Sequence, residues 1–234
     1  MQKNIIIAVV MLAASLNISA QNKVVQNQLQ SDNKTIHFGF TLGMDFMNLG
    51  VRQSNAVAPD GNVYSMSVNK YNPGFTVGVI SDLRLCEYLN LRFVPIIHFG
   101  DISTTFIDQK QNEVKTYSLK STVVDFPVYL KYRAKRINNY RPYVLLGGGL
   151  QYQVGRQKGE ALLLKPVDVS VEFGVGCDFY LPYFKFAPEL KFCLGMLDVL
   201  EKDRHDLLIE SDRKYTDALL RLTSRVLVLT FNFE

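Results

Sequence analysis

The sequence contains no tryptophan, few cysteines and little net charge. Its 234 residues carry a formal charge of only +4. Because a polyanion is bound through clustered basic surface, so small an excess argues against a nucleic-acid partner. Cys86, Cys177 and Cys193 are odd in number and lack Cys-x-x-Cys or Cys/His spacing. They therefore indicate neither a disulfide framework nor a zinc site.

Beyond the first twenty residues, no apolar run is as long as a transmembrane helix requires. Residues 1–20 have Lys3 as their only charge, an apolar run over 5–14, and the small residues Ser19 and Ala20 at the end. This pattern is typical of a secretory signal peptide, and the run is too short to anchor the chain as a helix that needs roughly 20 residues. Cleavage after Ala20 would leave Gln21, not a cysteine, as the first residue, so lipid attachment there is not indicated. We predict an exported protein.

Apolar residues recur at every second position in eight segments. From Ile36, for example, the apolar positions run through Phe38 and Phe40 to Phe46. Period two indicates strands with one apolar face, each near the roughly 9 to 11 residues that cross a bilayer at a tilt. Pro95 and Pro188 lie on that face and lack a backbone N–H for strand pairing, so they predict local bulges. The segments are 36–46, 75–85, 89–99, 124–132, 142–152, 169–179, 184–194 and 227–233.

The connections between these segments alternate strictly in length. Those at 47–74, 101–122, 153–167 and 197–223 are long, and those at 86–88, 134–139 and 181–182 are short. This asymmetry is typical of an up-and-down outer-membrane barrel with long external loops and tight periplasmic turns. Tyrosines beside the short turns predict a girdle at the lipid headgroups: Tyr88, Tyr132, Tyr140, Tyr180 and Tyr183.

We therefore predict an all-β fold, an eight-stranded antiparallel up-and-down transmembrane β-barrel in the outer membrane. Its parts are a signal peptide at 1–20, a periplasmic N-terminal linker at 21–35 and the barrel domain at 36–234. The even strand number places both termini in the periplasm.

A soluble lipocalin-like barrel would show the same alternation with its apolar face inward, so the second face decides between the two. That face carries six acids and six bases interleaved with glycines. So much glycine would weaken strands on a soluble exterior, whereas a narrow interior needs both small residues and paired charges. We expect a charge network in the lumen, either a paired polar core or a path for protons or ions. Its members are Asp45, Asp82, Arg84, Arg92, Asp125, Lys131, Glu172, Asp178, Lys185, Glu189 and Lys191, with Arg133 as the twelfth charged residue of the face.

Catalytic motifs are missing from the three histidines' surroundings. His205 stands between Asp203 and Asp206, but the chain has neither Gly-x-Ser-x-Gly nor His-Glu-x-x-His. An outer-membrane hydrolase or acyltransferase would lose its activity on His205→Ala, and we expect that substitution to be silent. We predict no enzymatic activity, no cofactor and no small-molecule substrate.

Four bases surround the second short turn: Arg133, Lys135, Arg136 and Arg141. One hypothesis is contact with the headgroups of outer-membrane lipid. The other is docking of an acidic periplasmic or membrane partner, since such a patch speeds and orients association.

The last long connection contains helical spacing. Ser211 is a candidate N-cap for a helix that carries Tyr215, Ala218, Leu219 and Leu222 on one face. An apolar helical face outside a barrel needs a cover, either the barrel rim or a partner.

Seven stretches of the chain, taken together, have the character of one family. They are HFGF at 37–40, PGFTVGVISDLRL at 73–85, LNLRFVP at 89–95, KYRAKRINNYRPY at 131–143, EFGVGCDFY at 172–180, FKFAPELKF at 184–192 and LTFNFE at 229–234. They resemble the PorT family of outer-membrane proteins of the type IX secretion system. The resemblance covers about residue 36 to the end and is weak at 48–70 and 103–118. The terminal Phe common in outer-membrane barrels is displaced here to Phe233, followed by Glu234.

The resemblance implies a non-enzymatic part in exporting proteins with a C-terminal sorting domain to the cell surface, alongside other type IX secretion components. The family supplies no catalytic residues to carry over. The alternative function is a small surface-binding or adhesion barrel that acts through its long external loops.

Overall fold

The computed structural model describes residues 25–54, 62–107, 113–155, 162–202 and 213–234. The predicted signal peptide at 1–20, His205 and Ser211 lie outside these ranges. Among the described residues, no helix is long and apolar enough to cross a membrane. The elements are a 3-10 turn at Ser31–Asn33, the strands β1 (Ile36–Gln53), β2 (Ser65–Tyr71), β3 (Pro73–Arg84), β4 (Leu89–Phe93), β5 (Ile96–Ile107), β6 (Glu113–Arg133), β7 (Tyr140–Gln153), β8 (Val167–Tyr180) and β9 (Lys185–Gly195), the short helix α1 (Arg213–Asp217), and β10 (Leu219–Phe233).

The strands close into one ring of eight antiparallel walls. Phe40 of β1 lies opposite Phe233 of β10 on one side and opposite Val79 of β3 on the other. β2 and β3 both pair with β5 and form one wall, and β4 and β5 both pair with β6 and form another. The remaining walls are single strands that follow chain order. The predicted eight-stranded antiparallel topology is confirmed.

The two prolines on the outer face do not produce the predicted bulges. Pro188 lies opposite Phe231 in an unshifted register. Pro95 separates β4 from β5, yet both strands pair with β6 in one continuous register. The Pro95 carbonyl still accepts a hydrogen bond of 3.0 Å from the Val79 N–H. Each proline therefore removes a single donor without displacing its strand.

The apolar face of the barrel points outward. Phe38 is 70% exposed and Leu146 is 61% exposed, whereas the intervening residues of each strand are mostly buried. A lipocalin-like barrel would bury this face, so that alternative does not apply. The predicted tyrosine girdle loses one member, because Tyr180 is buried and donates a hydrogen bond of 2.6 Å to Asp32.

Both ends of the barrel differ in construction. The turn end carries the short turns, residues 25–35 and Glu234. At the opposite, loop end the strands continue past their predicted limits, so the predicted connection at 101–122 shrinks to 108–112 between β5 and β6. Extended pairing is possible there because the inward side chains are apolar and pack on one another. This loop-end core comprises Met47, Leu49, Tyr64, Met66, Ile102, Phe106, Tyr117, Leu119, Leu162, Val199, Leu200, Tyr215, Ala218, Leu219 and Leu222.

The helix predicted in the last connection is shorter than its spacing suggested. α1 ends at Asp217, and both Leu219 and Leu222 belong to β10. The apolar residues nevertheless find their cover within the chain, since Tyr215 packs on the rings of Tyr64 and Phe106. The conformation of this segment is therefore set by its packing in the barrel mouth, where pairing of Leu219 and Leu222 in a strand prevails over their helical spacing.

Candidate functional site

Charged side chains fill the turn-end half of the lumen because strand alternation directs them inward. Ten of the eleven predicted members of the lumen network are buried. Arg84 is the exception. It lies at the turn-end rim, where it donates a hydrogen bond of 2.7 Å to the Asp32 carbonyl oxygen.

Arg92 joins three carboxylates in the centre of this network. Its Nε lies 2.9 Å from an oxygen of Asp82, Nη1 lies 3.2 Å from Glu189, and Nη2 lies 2.7 Å from Glu234. The Lys185 ammonium pairs with the second oxygen of Glu234. Glu234 follows the alternation of β10 one residue further, with its backbone paired to Lys185. The residue that displaces the terminal Phe is thus part of the lumen.

A second group surrounds the ring of Tyr143. The Lys131 ammonium lies 2.9 Å from Asp178 and 3.9 Å from the centre of the Tyr143 ring. The Tyr143 hydroxyl donates a hydrogen bond of 2.8 Å to Glu189. A Cβ at Gly176 would lie 2.5 Å from atoms of the same ring. Glycine on the inner face therefore provides the space that a buried aromatic ring occupies.

The network continues towards the loop end through hydrogen bonds of neutral side chains. Tyr129 donates to Glu172 at 2.5 Å, and Ser170 donates to the other oxygen of Glu172 at 2.7 Å. His98 Nδ1 lies 3.1 Å from Asp45. Where this polar region meets the loop-end core, a cavity of about 50 Å³ remains, with His98 and Asp168 in its lining. Most of the lumen charges are thus paired, although Asp125 accepts a hydrogen bond from Gln151 instead of forming an ion pair. The charged region is followed by apolar side chains, as expected where eight strands leave just enough room for side chains.

The second candidate site is the turn end, where the basic residues lie. Asp32, in the 3-10 turn, faces three guanidinium groups: Arg141 at 3.2 Å, Arg136 at 3.5 Å and Arg133 at 3.7 Å. Tyr180 donates a hydrogen bond to the same carboxylate. Arg133 and Arg141 are buried, and only Lys135 of the four predicted bases is exposed. The sequence suggested an exposed basic patch, but most of its charge contacts the chain's own carboxylate.

Residues 25–35 hold Asp32 in this position by crossing the turn end. The Arg136 guanidinium lies 3.7 Å above the Tyr180 ring and donates to the Asn27 carbonyl oxygen at 2.5 Å. Asn139, at the tip of the turn, accepts a hydrogen bond of 2.9 Å from the Asn27 N–H. The described part of the predicted linker is therefore docked on the barrel.

Two opposing effects set the pKa of Asp32. Burial raises it, but the Tyr180 hydrogen bond and the charges of Arg141, Arg133 and Arg136 outweigh burial, so the pKa lies below its ordinary value of 3.8. The carboxylate is therefore ionised at neutral pH, and its attraction to the arginines is fully present there.

Sequence reasoning missed Asp32 and Glu234, and the reasons differ. Asp32 lies in a short polar segment without periodicity, so no local pattern indicates its docking. Glu234 could have been found by extending the alternation of the last strand by one residue. The thiols are free in the structure: Cys193 is buried in the lumen wall, Cys177 is partly buried, and Cys86 is exposed in a turn.

Comparison with known proteins gives a matching family and several solved structures, among them those of the proteins Ail and AlkL. A family model described as outer membrane protein beta-barrel domain matches residues 20–201. No curated protein matches the chain. The crystal structure of Ail, the attachment invasion locus protein of Yersinia pestis, in complex with the heparin analogue sucrose octasulfate, is 11% identical, with a TM-score of 0.35 over 84% of this chain and 96% of Ail.

The solid-state NMR structure of the outer membrane protein AlkL in DMPC lipid bilayers is 12% identical, with a TM-score of 0.40 over 91% of this chain and 94% of AlkL. The family model spans most of the sequence, and the apolar outer wall described above suits contact with lipid. The chain belongs to the outer membrane protein beta-barrel domain family and is an outer-membrane β-barrel.

Proposed function

We propose that this barrel is a non-enzymatic component of the type IX protein secretion machinery, needed to export proteins with a C-terminal sorting domain to the cell surface. The observation that carries the proposal is the packed lumen, in which Arg92 joins three carboxylates on one side and the loop-end core fills the other. A barrel filled in this way suits an accessory part of a larger machine better than a conduit. The resemblance to PorT over the strands supplies the specific machine.

The orientation that accompanies this proposal places the turn end in the periplasm and the loop end outside the cell. It rests on the general asymmetry of outer-membrane barrels, whose periplasmic turns are short. Residues 25–35 and Glu234 both lie at the turn end, so both termini would be periplasmic. Other secretion components on the periplasmic side would then meet the arginines and residues 25–35.

The absence of enzymatic activity is also part of the proposal. A catalytic base must reach a nucleophile or water beside its substrate. His98 pairs with Asp45 inside the lumen, where both side chains are buried. This position suits a structural hydrogen bond in the polar core.

The alternative function, a surface-binding or adhesion barrel, has one observation in its favour. The loop-end core extends above the polar lumen and packs residues such as Leu162 and Leu200 from two different connections. A rigid scaffold of this kind is a suitable base for loops that bind a ligand. Because a secretion component and an adhesin share this architecture, phenotype has to separate them.

The decisive experiment deletes the gene in its host and follows sorting-domain proteins by mass spectrometry in the periplasm, on the surface and in the medium. Accumulation of these proteins in the periplasm, reversed by the wild-type gene, is the expected result. Complementation with Lys120→Met should restore export as the wild-type gene does, because this substitution removes only an exposed base on a strand. Normal export combined with lost attachment would refute the secretion role and establish the adhesion barrel instead.

A further inference from the structure

The contact between residues 25–35 and the barrel depends on polar groups alone. The 3-10 turn that carries Asp32 has no buried residue, and Val25 and Leu29 are exposed. The segment is held by the arginines around Asp32 and by hydrogen bonds such as that of Asn27 to Asn139. Each such bond contributes modestly to docking, because its groups give up hydrogen bonds to water when the bond within the protein forms. A competing anion could therefore replace the segment without exposing apolar surface.

The turn end holds more positive charge than Asp32 neutralises. Five bases gather there: Arg84, Arg133, Lys135, Arg136 and Arg141. Asp32 and Glu87 lie among them, and Asp178 and Asp82 attract Arg133 from the lumen, where they also pair with Lys131 and Arg92. The Nε of Arg133 is buried and has no hydrogen-bond partner among the described residues. Its unused donor lies in the same cluster that binds Asp32. The cluster thus retains both charge and hydrogen-bonding capacity for a further anionic group.

An open cavity of about 400 Å³ lies beside Asp32 and gives access to four of these bases. Its lining includes Arg84, Lys135, Arg136 and Arg141. The guanidinium groups suit carboxylates in particular, because their planar donors match two oxygens at once. The space is large enough for several atoms of a peptide, not only for a single ion.

The direction in which the arginine cluster opens indicates whether its ligand is a protein or a lipid. Arg133 and Arg141 are buried on the inward face, while their neighbours Tyr132 and Tyr140 are exposed on the outward face. Headgroups of the surrounding bilayer lie against the outer wall, beside these tyrosines. The cluster opens at the end of the barrel axis instead, towards water. Its position therefore favours an acidic segment of a protein over a phospholipid.

We propose that the turn-end arginine cluster is a binding site for an acidic segment of a partner protein, and that Asp32 occupies this site when the partner is absent. The periplasmic location of this partner rests on the orientation given under the proposed function. The site's preference for carboxylates does not depend on that function, so it can be tested on the purified chain.

The test measures binding of a fluorescein-labelled hexa-aspartate peptide to the full-length barrel in phosphatidylcholine nanodiscs, by fluorescence anisotropy. Asp32→Asn should tighten binding by about tenfold, because the apparent affinity of a ligand rises with the fraction of sites that is free. Arg136→Gln with Lys135→Gln should weaken it by about tenfold or more, since two charges of the site are lost. A hexa-serine peptide serves as the uncharged control, and Lys120→Met controls for an exposed base elsewhere.

Folding is checked for each variant by its heat-dependent shift in electrophoretic mobility. Lys135 and Arg136 lie in a turn rather than in the lumen, so their loss leaves the ion pairs of Arg92 intact. Unchanged peptide affinity in the folded Asp32→Asn variant would overturn the proposal. So would variants that alter only the retention of phosphatidylglycerol, measured by native mass spectrometry from a second set of nanodiscs that contain this lipid, because the site would then bind lipid. Failure of the gene deletion to affect export would refute the secretion role without changing these results.

Discussion

Replacing Arg92 by methionine should destabilise the barrel more than any change on its surface. Methionine keeps the apolar stem of the side chain but removes the guanidinium group and with it all three ion pairs. Glu234 would keep Lys185, and Glu189 would keep the Tyr143 hydroxyl at 2.8 Å. Asp82 would keep a hydrogen bond from Asn90 and the more distant charges of Lys131 and Lys185, but no ion pair. The principal cost is therefore a buried carboxylate at Asp82 that has lost its ion-pair partner.

The expected loss is about 3 to 5 kcal/mol of unfolding free energy, the usual cost of removing one partner from a buried ion pair. A second substitution, Asp82→Asn, should then restore part of it, because an amide leaves no buried charge. The assay is urea unfolding of the refolded barrel in phosphatidylcholine vesicles. Far-ultraviolet circular dichroism is the suitable signal, since the chain has no tryptophan for fluorescence.

Lys120→Met is the matched control, as it removes an exposed base and should change stability by no more than about 0.5 kcal/mol. An Arg92→Met variant within about 1 kcal/mol of wild type would refute the reasoning. A double variant no more stable than Arg92→Met would refute the role assigned to Asp82, because neutralising that carboxylate would then recover none of the lost stability.

Three further predictions concern the loop-end core, the inner glycines and residues 25–35. Phe106→Ala, at a fully buried position, should cost about 3 to 5 kcal/mol in the same urea titration, because it opens a cavity among aromatic rings. Gly147→Val should abolish the folded electrophoretic form, because a Cβ there would overlap the Val128 carbonyl oxygen, a backbone atom that cannot rotate away. The protection factors for amide hydrogen exchange in residues 25–35, taken relative to the unfolded chain at the same pH, should be high at neutral pH and fall as the pH drops through the lowered pKa of Asp32, below 3.8, since protonation removes the attraction to the arginines. Asp32→Asn should lower these protection factors at neutral pH and remove their dependence on acid, and protection that persists would contradict the assignment.

Strand positions were predictable because the face on which a strand residue lies is a local property. Alternation assigned Phe38 outward and Asp45 inward before any partner was known. The pairing of the charges was not predictable in this way. Arg92 meets Asp82 ten residues away but also Glu234, 142 residues away, and only closure of the ring brings these side chains together.

Arg84 and Tyr180 show where a local pattern fails. Arg84 has the parity of a lumen residue but lies at the last position of β3, where the lumen ends and residues 25–35 begin to cross it. Tyr180 stands beside a short turn like the tyrosines of the girdle, yet its parity directs it inward to Asp32. Position along the barrel axis, which depends on the register of all strands, decides the case of Arg84, whereas the parity of the strand decides that of Tyr180.

The sequence by itself determined the eight walls, their antiparallel order, the apolar outer surface and the charged composition of the lumen. These four features follow from period-two alternation and from the lengths of the connections, and both can be read from the order of residues along the chain. Only the tertiary structure decided that the loop end is filled by an apolar core, that the helical spacing after residue 213 becomes mostly strand, and that Asp32 lies among three arginines. Those features depend on which segments share the two ends of the barrel, and that neighbourhood exists only once the ring has closed.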